Sequence, residues 1–519
     1  MTRCTLPLII AAALLLGPAA QAGTYKPQHV KPGGDWRSNS VHQYDNFVNS
    51  RKISIIQFPS GSSSGSDSEL PAADTPAGKK ARFERAYNAV VRDPANRLAF
   101  AQPLAAQGDR DAMYMLAWCY MQANCGTPAD AAQAAQWLRK ASEAGHLWAT
   151  TDYATVLSEG LGVPMDEKKA FQMYQRAATQ GDPAGITGLA MCYFNGTGVT
   201  ADPAQALTYF KRAESEPKAQ GMLGLIYRFG IGAPVDEALA DSYLKRAAAN
   251  GDARARAYYA ITLYNGTATT SRDVPLARKY FEDAIARNQP VAMTNYAQLV
   301  LDGTHREGGQ RDEAQALALY QRAAALDYAP AIYELAAAYS RGKFGLVKDK
   351  ARALELARVA ADGNVPEALD FLTVEYLNSN RPAEARVTND KSLKLGSGKA
   401  YLHRAQAEED GLMGYQPNTP TAASWFEKAA AEGESEAHLR LGYAYLQSHF
   451  GVKDAVKGRH HLQAASDAGQ KQAHYMLGQC YEMGIGGPED RAGAIRLYKL
   501  AQAAGNTNAQ ARLARLGAQ

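Results

Sequence analysis

The sequence has little cysteine, no long apolar run and no charge excess of either sign, and each shortage removes a class of protein. Five cysteines in 519 residues are too few for a disulfide-framed secreted scaffold of this length. The charges nearly cancel, 56 basic against 52 acidic, which excludes the broad basic face of a nucleic-acid binder. No stretch holds the about 20 apolar residues that a membrane helix needs. The one GxSxG match, Gly61 to Gly65, falls in the low-complexity run GSSSGS and is no nucleophile elbow, and the chain lacks a P-loop, an HExxH pair and a His/Cys ligand spacing. The run Glu408-Glu409-Asp410 stands beside Gly411 and reads as a solvated helix end. The residues nominate no catalytic site, no metal site and no cofactor, so the chain reads as a non-enzyme.

What is present starts with an address. Arg3, the apolar run Leu6 to Leu16 and the small residues Ala20-Gln21-Ala22 have the form of a cleavable signal peptide over residues 1–22. No cysteine follows the apolar run at the cleavage point, so there is no lipobox, and Cys4 lies on the wrong side of it. The expectation is a periplasmic or secreted protein. Residues 23–58 are irregular and basic, with Lys26, Lys31, Arg37, Arg51 and Lys52 against Asp35 and Asp45. They end in the β-prone run Ile53 to Phe58, which suits docking on a partner's sheet edge or on the rest of the chain. Residues 59–80, with GSSSGSDS, form a flexible linker. Phe83, Tyr87, Val90 and Val91 then follow helical spacing, and Pro94 opens a second helix.

From Gly108 onward the chain repeats itself. Helix-ending positions fall at Gly108, Gly145, Gly181, Ser215, Gly251, Asn288, Asp327, Gly363, Gly396, Gly433, Gly469 and Gly505, about 36 residues apart. Four residues past such an anchor comes a small residue, as at Ala112, Ala149, Ala219 and Ala473. Nine past it comes another, as at Ala117, Ala190, Gly224, Gly442 and Gly478, with a large residue such as Leu189, Leu441 or Leu477 just before. A tyrosine often follows, then a second glycine fifteen past the anchor, at Gly160, Gly196, Gly230 or Gly484. A short turn and a second helix complete each unit. Such a hairpin cannot bury its apolar face alone, and stacking of neighbours gives one continuous core. Cys192 and Cys480 share the repeat position of Cys119 and read as small core residues. Cys119 and Cys125 flank a helix end at a spacing that permits one bridge.

The order small residue, Leu-Gly, Tyr, Gly-x-Gly-Val, Asp, Ala, aromatic, Lys/Arg-Ala-Ala, Gly resembles the Sel-1-like repeat family, kin of the tetratricopeptide repeats. Gly145 to Gly181, Gly181 to Ser215 and Gly433 to Gly505 carry it best. The resemblance implies an all-α, right-handed α-solenoid superhelix of about eleven helix-turn-helix units. It divides the folded part into an N-terminal array (81–362), degenerate repeats (363–420) and a C-terminal array with its cap (421–519). The Gly363 unit departs from the pattern with Leu372 at a small position and Asn378 at the second glycine, and the Gly396 unit puts Arg404 in the leucine slot.

Members of that family act mainly as adaptors, so the resemblance implies protein partners on the concave face, which the first helices line. Outward positions there hold Tyr114, Met115, Trp118, Trp148, Met191, Met222, Arg440 and Tyr443, residue types that anchor protein interfaces. The expected role is an exported scaffold in a cell-envelope or exopolysaccharide secretion complex. A host-interaction or effector-neutralising binding protein is the alternative. A β-lactam or peptidoglycan hydrolase is a third reading, which the resemblance ties to relatives with a cysteine pair in nearly every repeat, a feature this chain lacks.

Overall fold

The computed structural model describes residues 97–518, apart from 123–124, 126, 305–307 and 452. The signal peptide, the basic segment, the linker and the first expected helix lie outside these residues. Within them the chain forms 24 α-helices and no strand, from Arg97–Ala106 to Thr507–Arg515. It divides into two compact units, one reaching to Ala331 and one running from Ile332. Both are built from antiparallel helix hairpins, such as Pro183–Asn195 with Pro203–Arg212 in the first and Lys471–Glu482 with Arg491–Ala503 in the second.

Each hairpin is set by its punctuation. The glycine fifteen past the anchor ends the first helix in the left-handed region, with φ of +75° at Gly196 and +64° at Gly484. An aspartate then caps the second helix: Asp166, Asp202, Asp236 and Asp490 each accept a backbone N–H from the first turn. The aspartate's own N–H reaches back to the first helix, as Asp202 N–H to the Tyr193 carbonyl at 2.8 Å and Asp490 N–H to Tyr481 at 2.9 Å. One residue therefore starts a helix and closes the hairpin.

The second glycine of Gly-x-Gly joins one unit to the next. A Cβ on Gly198 would lie 2.2 Å from the Glu167 carbonyl oxygen, and one on Gly486 would lie 2.1 Å from the Ala455 oxygen. Glu167 and Ala455 are the first residues of the second helix in the preceding hairpin. Only a residue without a side chain lets these backbones meet.

The recurrent small residues form the seams. Ala112, Ala149, Ala219, Ala437 and Ala473 are wholly buried, as are Ala117, Ala154 and Ala190. Where the later position is glycine, the second helix presses a large side chain against it. A Cβ on Gly224, Gly442 or Gly478 would come within 2.7 Å of Leu244, 2.7 Å of Leu462 or 2.8 Å of Tyr498. Phe210, Phe281, Phe426 and Tyr498 from the second helices are fully buried. Cys192 and Cys480 are buried thiols, as their repeat position predicts.

One expectation about the degenerate repeats changes. The left-handed anchor of that unit is Asn364 (φ +59°), while Gly363 has φ −79°. Counted from Asn364, Ala368 and Thr373 occupy the small positions and Leu372 the leucine slot, all of them buried. The two small positions and the leucine slot are kept, displaced by one residue. The polar stretch 382–394 is a full helix, Pro382–Lys394. Its Asn389 and Ser392 are completely buried, and Ser392 donates to Asp370 at 2.6 Å. Burial of hydroxyl and amide groups hides the apolar period that helix recognition relies on.

Arg404 does stand in a leucine slot, and a polar assembly replaces the apolar contact. Its Nε donates to Glu408 at 2.6 Å and its Nη1 to the Tyr415 hydroxyl, with Asp390 3.5 Å away. The guanidinium lies 3.7 Å from the Tyr415 ring centroid and 5.5 Å from that of Trp425. The long turn holding Tyr415 is thereby tied to the helix Gly398–Asp410.

Cys119 and Cys125 form a disulfide, with Cα atoms 5.3 Å apart and both residues buried. Replacing both by serine removes the constraint on a short loop. Loss of about 2 kcal/mol is expected, read as a lower thermal midpoint that wild type shares only when reductant is present.

Candidate interaction surface

The surface candidates lie on the first helices. In the first unit, Tyr114 stacks on His146 with ring centroids 4.3 Å apart and donates to Asp152 at 2.8 Å. Trp148 leans on both rings, 6.3 Å from Tyr114 and 6.0 Å from His146. His146 caps the helix Leu147–Glu159 through Nδ1, which accepts the Ala149 N–H at 3.1 Å, while Nε2 faces Asp111 at 3.5 Å. Burial lowers the His146 pKa, against the pull of Asp111. The ring is thus held neutral between a backbone donor and a carboxylate. Tyr114, His146 and Trp148 form a rigid aromatic shelf whose outer ring, Trp148, is 39% exposed.

The remaining surface candidates separate. Met115 is half-buried against the cluster of Ala101, Ala105, Ala112 and Leu116. Trp118 packs on the core around Leu138 and Ala149, and Met191 is half-buried. Met222 is corrected: it is 2% exposed and belongs to the interior, because the helix Pro217–Phe229 is covered along nearly its whole length. In the second unit, Arg440 and Tyr443 are exposed on one helix, Ser435–Gln447. Arg440 approaches Glu409 at 3.7 Å and Glu436 at 3.8 Å.

A further group on the first helices of the second unit was not nominated from sequence. Glu334 comes from one hairpin, Glu367 and Asp370 from the next, and Glu434 caps the first helix two hairpins further on, while the exposed Lys399 of the hairpin between acts on three of them, Glu367, Asp370 and Glu434. Burial raises the pKa of all four carboxyls, and Glu334 and Glu367 repel one another. Asp370 stays raised even though Ser392 and Ser397 donate to it at 2.6 and 2.7 Å. Beside them His403 is pushed down to about 4 by burial, with Lys399 acting in the same direction. Four partly buried acids against one exposed lysine make an acidic cluster that favours an incoming cation. The signal was there: counted from Asp327 and Asn364, Glu334 and Asp370 hold outward positions seven and six past the anchor. The one-residue error at Gly363 concealed Asp370.

The Sel1 repeat family model matches residues 110–146, 149–182, 183–216, 217–252, 253–288, 290–328, 329–365, 398–434, 435–470 and 471–506, well over half of the chain. The chain belongs to the Sel1 repeat family. Between the seventh and eighth Sel1 matches lie the helices Pro366–Asn378 and Pro382–Lys394, a hairpin whose polar interior departs from the Sel1 pattern. An uncharacterised protein of Neisseria meningitidis is 29% identical over 44% of this chain and 46% of its own length. Chitin synthase regulatory factor 3 of Schizosaccharomyces pombe is 26% identical over 47% of this chain and 27% of its own length. The chain thus spans less than half of these curated relatives. Among solved structures it is similar to a protective antigen of uropathogenic Escherichia coli described as having an SLR fold, at 24% identity and a TM-score of 0.43, covering 80% of this chain and 89% of that one. Sel1 repeat proteins generally mediate protein–protein interaction. Among the described residues no helix is long and apolar enough to cross a membrane.

Proposed function

We propose that this Sel1 repeat protein is an exported scaffold that holds a protein partner on its first-helix face, within a cell-envelope assembly. The observation that carries the reading is the acidic cluster of Glu334, Glu367, Asp370 and Glu434 around Lys399. Burial disfavours the charged form of these carboxyls, a cost that Asp370 offsets in part through the hydroxyls of Ser392 and Ser397. A basic partner segment would recover it, and the aromatic shelf offers the first unit a separate apolar anchor. The disulfide Cys119–Cys125 suits an oxidising compartment, as the leader-like residues 1–22 do.

The test is capture of partners from an envelope extract by the tagged chain, followed by reassembly of the purified pair. The expected result is one protein with a basic contact segment that binds at about micromolar Kd or tighter, more weakly at high salt. Binding insensitive to salt, or no protein enriched from the envelope fraction, would refute the reading.

A further inference from the structure

Three hairpin elements of the second unit meet at a pair of histidines. His438, on the helix Ser435–Gln447, and His461, on Ala455–Asp467, bring their Nδ1 atoms to 2.9 Å. Two imidazoles can share that contact only while one Nδ1 carries a proton and the other accepts it. Glu427, from the preceding helix Thr419–Ala431, lies 3.8 Å from His461 Nε2 and accepts the Tyr445 hydroxyl at 2.6 Å. Tyr445 stacks on His461 at 5.8 Å, and the exposed His460 ring sits 5.6 Å from it. The groups acting on the pair are therefore Glu427, His460 and Lys457, together with the Ala430 backbone at His438. His461 is 8% exposed.

We infer that the His438–His461 contact is an acid-sensitive joint that fastens the helix Ser435–Gln447 to its neighbours near neutral pH and releases it in mild acid. The first added proton is accommodated, because His461 Nε2 then faces the Glu427 carboxylate while Nδ1 still bridges. The second leaves each ring with an N–H pointed at an N–H, and the contact becomes a repulsion between two cations, with His460 adding a third. Burial lowers the pKa of both rings. A histidine lowered in the fold contributes stability that is present above the unfolded value of about 6.5 and is lost as pH falls through the folded value. Arg440 and Tyr443 ride on the same helix, so release would displace that part of the surface.

The test is amide hydrogen exchange of the full chain at pH 7.5 and pH 5, corrected for intrinsic rates, in wild type and His438→Gln. Glutamine can still bond to His461 but cannot become charged. In wild type, protection across 435–447 and 455–467 is expected to fall by about tenfold on acidification, and in the variant by about threefold or less. An equal fall in both proteins, or none in wild type, would overturn the proposal. A histidine NMR titration of wild type gives a second reading: two separated steps are expected for the pair, and one ordinary step near 6.5 would overturn it. Neither measurement needs a partner, so both stand apart from the proposed function.

Discussion

Gly198→Ala is expected to destabilise the first unit by about 3 kcal/mol, whereas Gly181→Ala costs about 1–2 kcal/mol. Both glycines are left-handed, with φ of +71° and +81°. Either alanine therefore carries the same conformational penalty. They differ in what surrounds them. A Cβ at Gly181 meets nothing within 4 Å, while one at Gly198 falls 2.2 Å from the Glu167 carbonyl oxygen. That neighbour is backbone at the start of a helix and cannot rotate away. The excess of Gly198→Ala over Gly181→Ala thus measures the contact between successive hairpins. Guanidinium denaturation of both variants checks it, and equal midpoints would mean that Gly-x-Gly is only a turn device.

The second large effect concerns Arg404. Restoring the family residue with Arg404→Leu is expected to destabilise the second unit by about 3 kcal/mol, although leucine fits the slot in other repeats. The reason is Glu408, whose side chain is 6% exposed and whose hydrogen-bond partner is Arg404. Removing the guanidinium strands that carboxylate in the interior and frees the Tyr415 turn. Arg404→Leu with Glu408→Leu removes both charges and should recover most of the loss, leaving only the Tyr415 and Trp425 contacts unreplaced. Thermal midpoints of the two singles and the double decide it. An Arg404→Leu protein as stable as wild type would show that the network is surface decoration.

These positions also show what a sequence can and cannot declare. The anchors, the small residues and the Asp caps are legible because they answer to backbone geometry, which repeats with the chain. Ala112, Ala149 and Gly478 follow from the repeat spacing as seam residues, and the seams hold them. Asn364 was missed because the adjacent glycine is the more familiar left-handed residue, yet the helix Lys350–Asp362 continues one residue further. The helix Pro382–Lys394 was obscured by its buried Thr388, Asn389 and Ser392. Met222 was assigned to the surface from spacing alone, and spacing does not report how closely neighbouring helices cover a face. The acidic cluster draws on three hairpins at once, and its carboxylates look like solvated charges until burial is known.

The acidic cluster of the second unit is the feature on which partner binding turns. Glu367→Gln with Glu434→Gln removes two carboxyls whose pKa burial raises, leaving shape nearly unchanged. If the cluster exists for binding, removing its charge should leave folding stability equal or slightly higher and weaken the basic partner by about tenfold or more. Glu355→Gln, which removes an exposed carboxylate on a second helix paired with Arg352, is the control and should leave binding within about twofold. The decisive measurement is partner affinity and thermal midpoint on these proteins side by side. Weakened binding with undiminished stability is the expected result. Unchanged affinity in the cluster variant, or a loss of stability that accounts for the loss of binding, would contradict it.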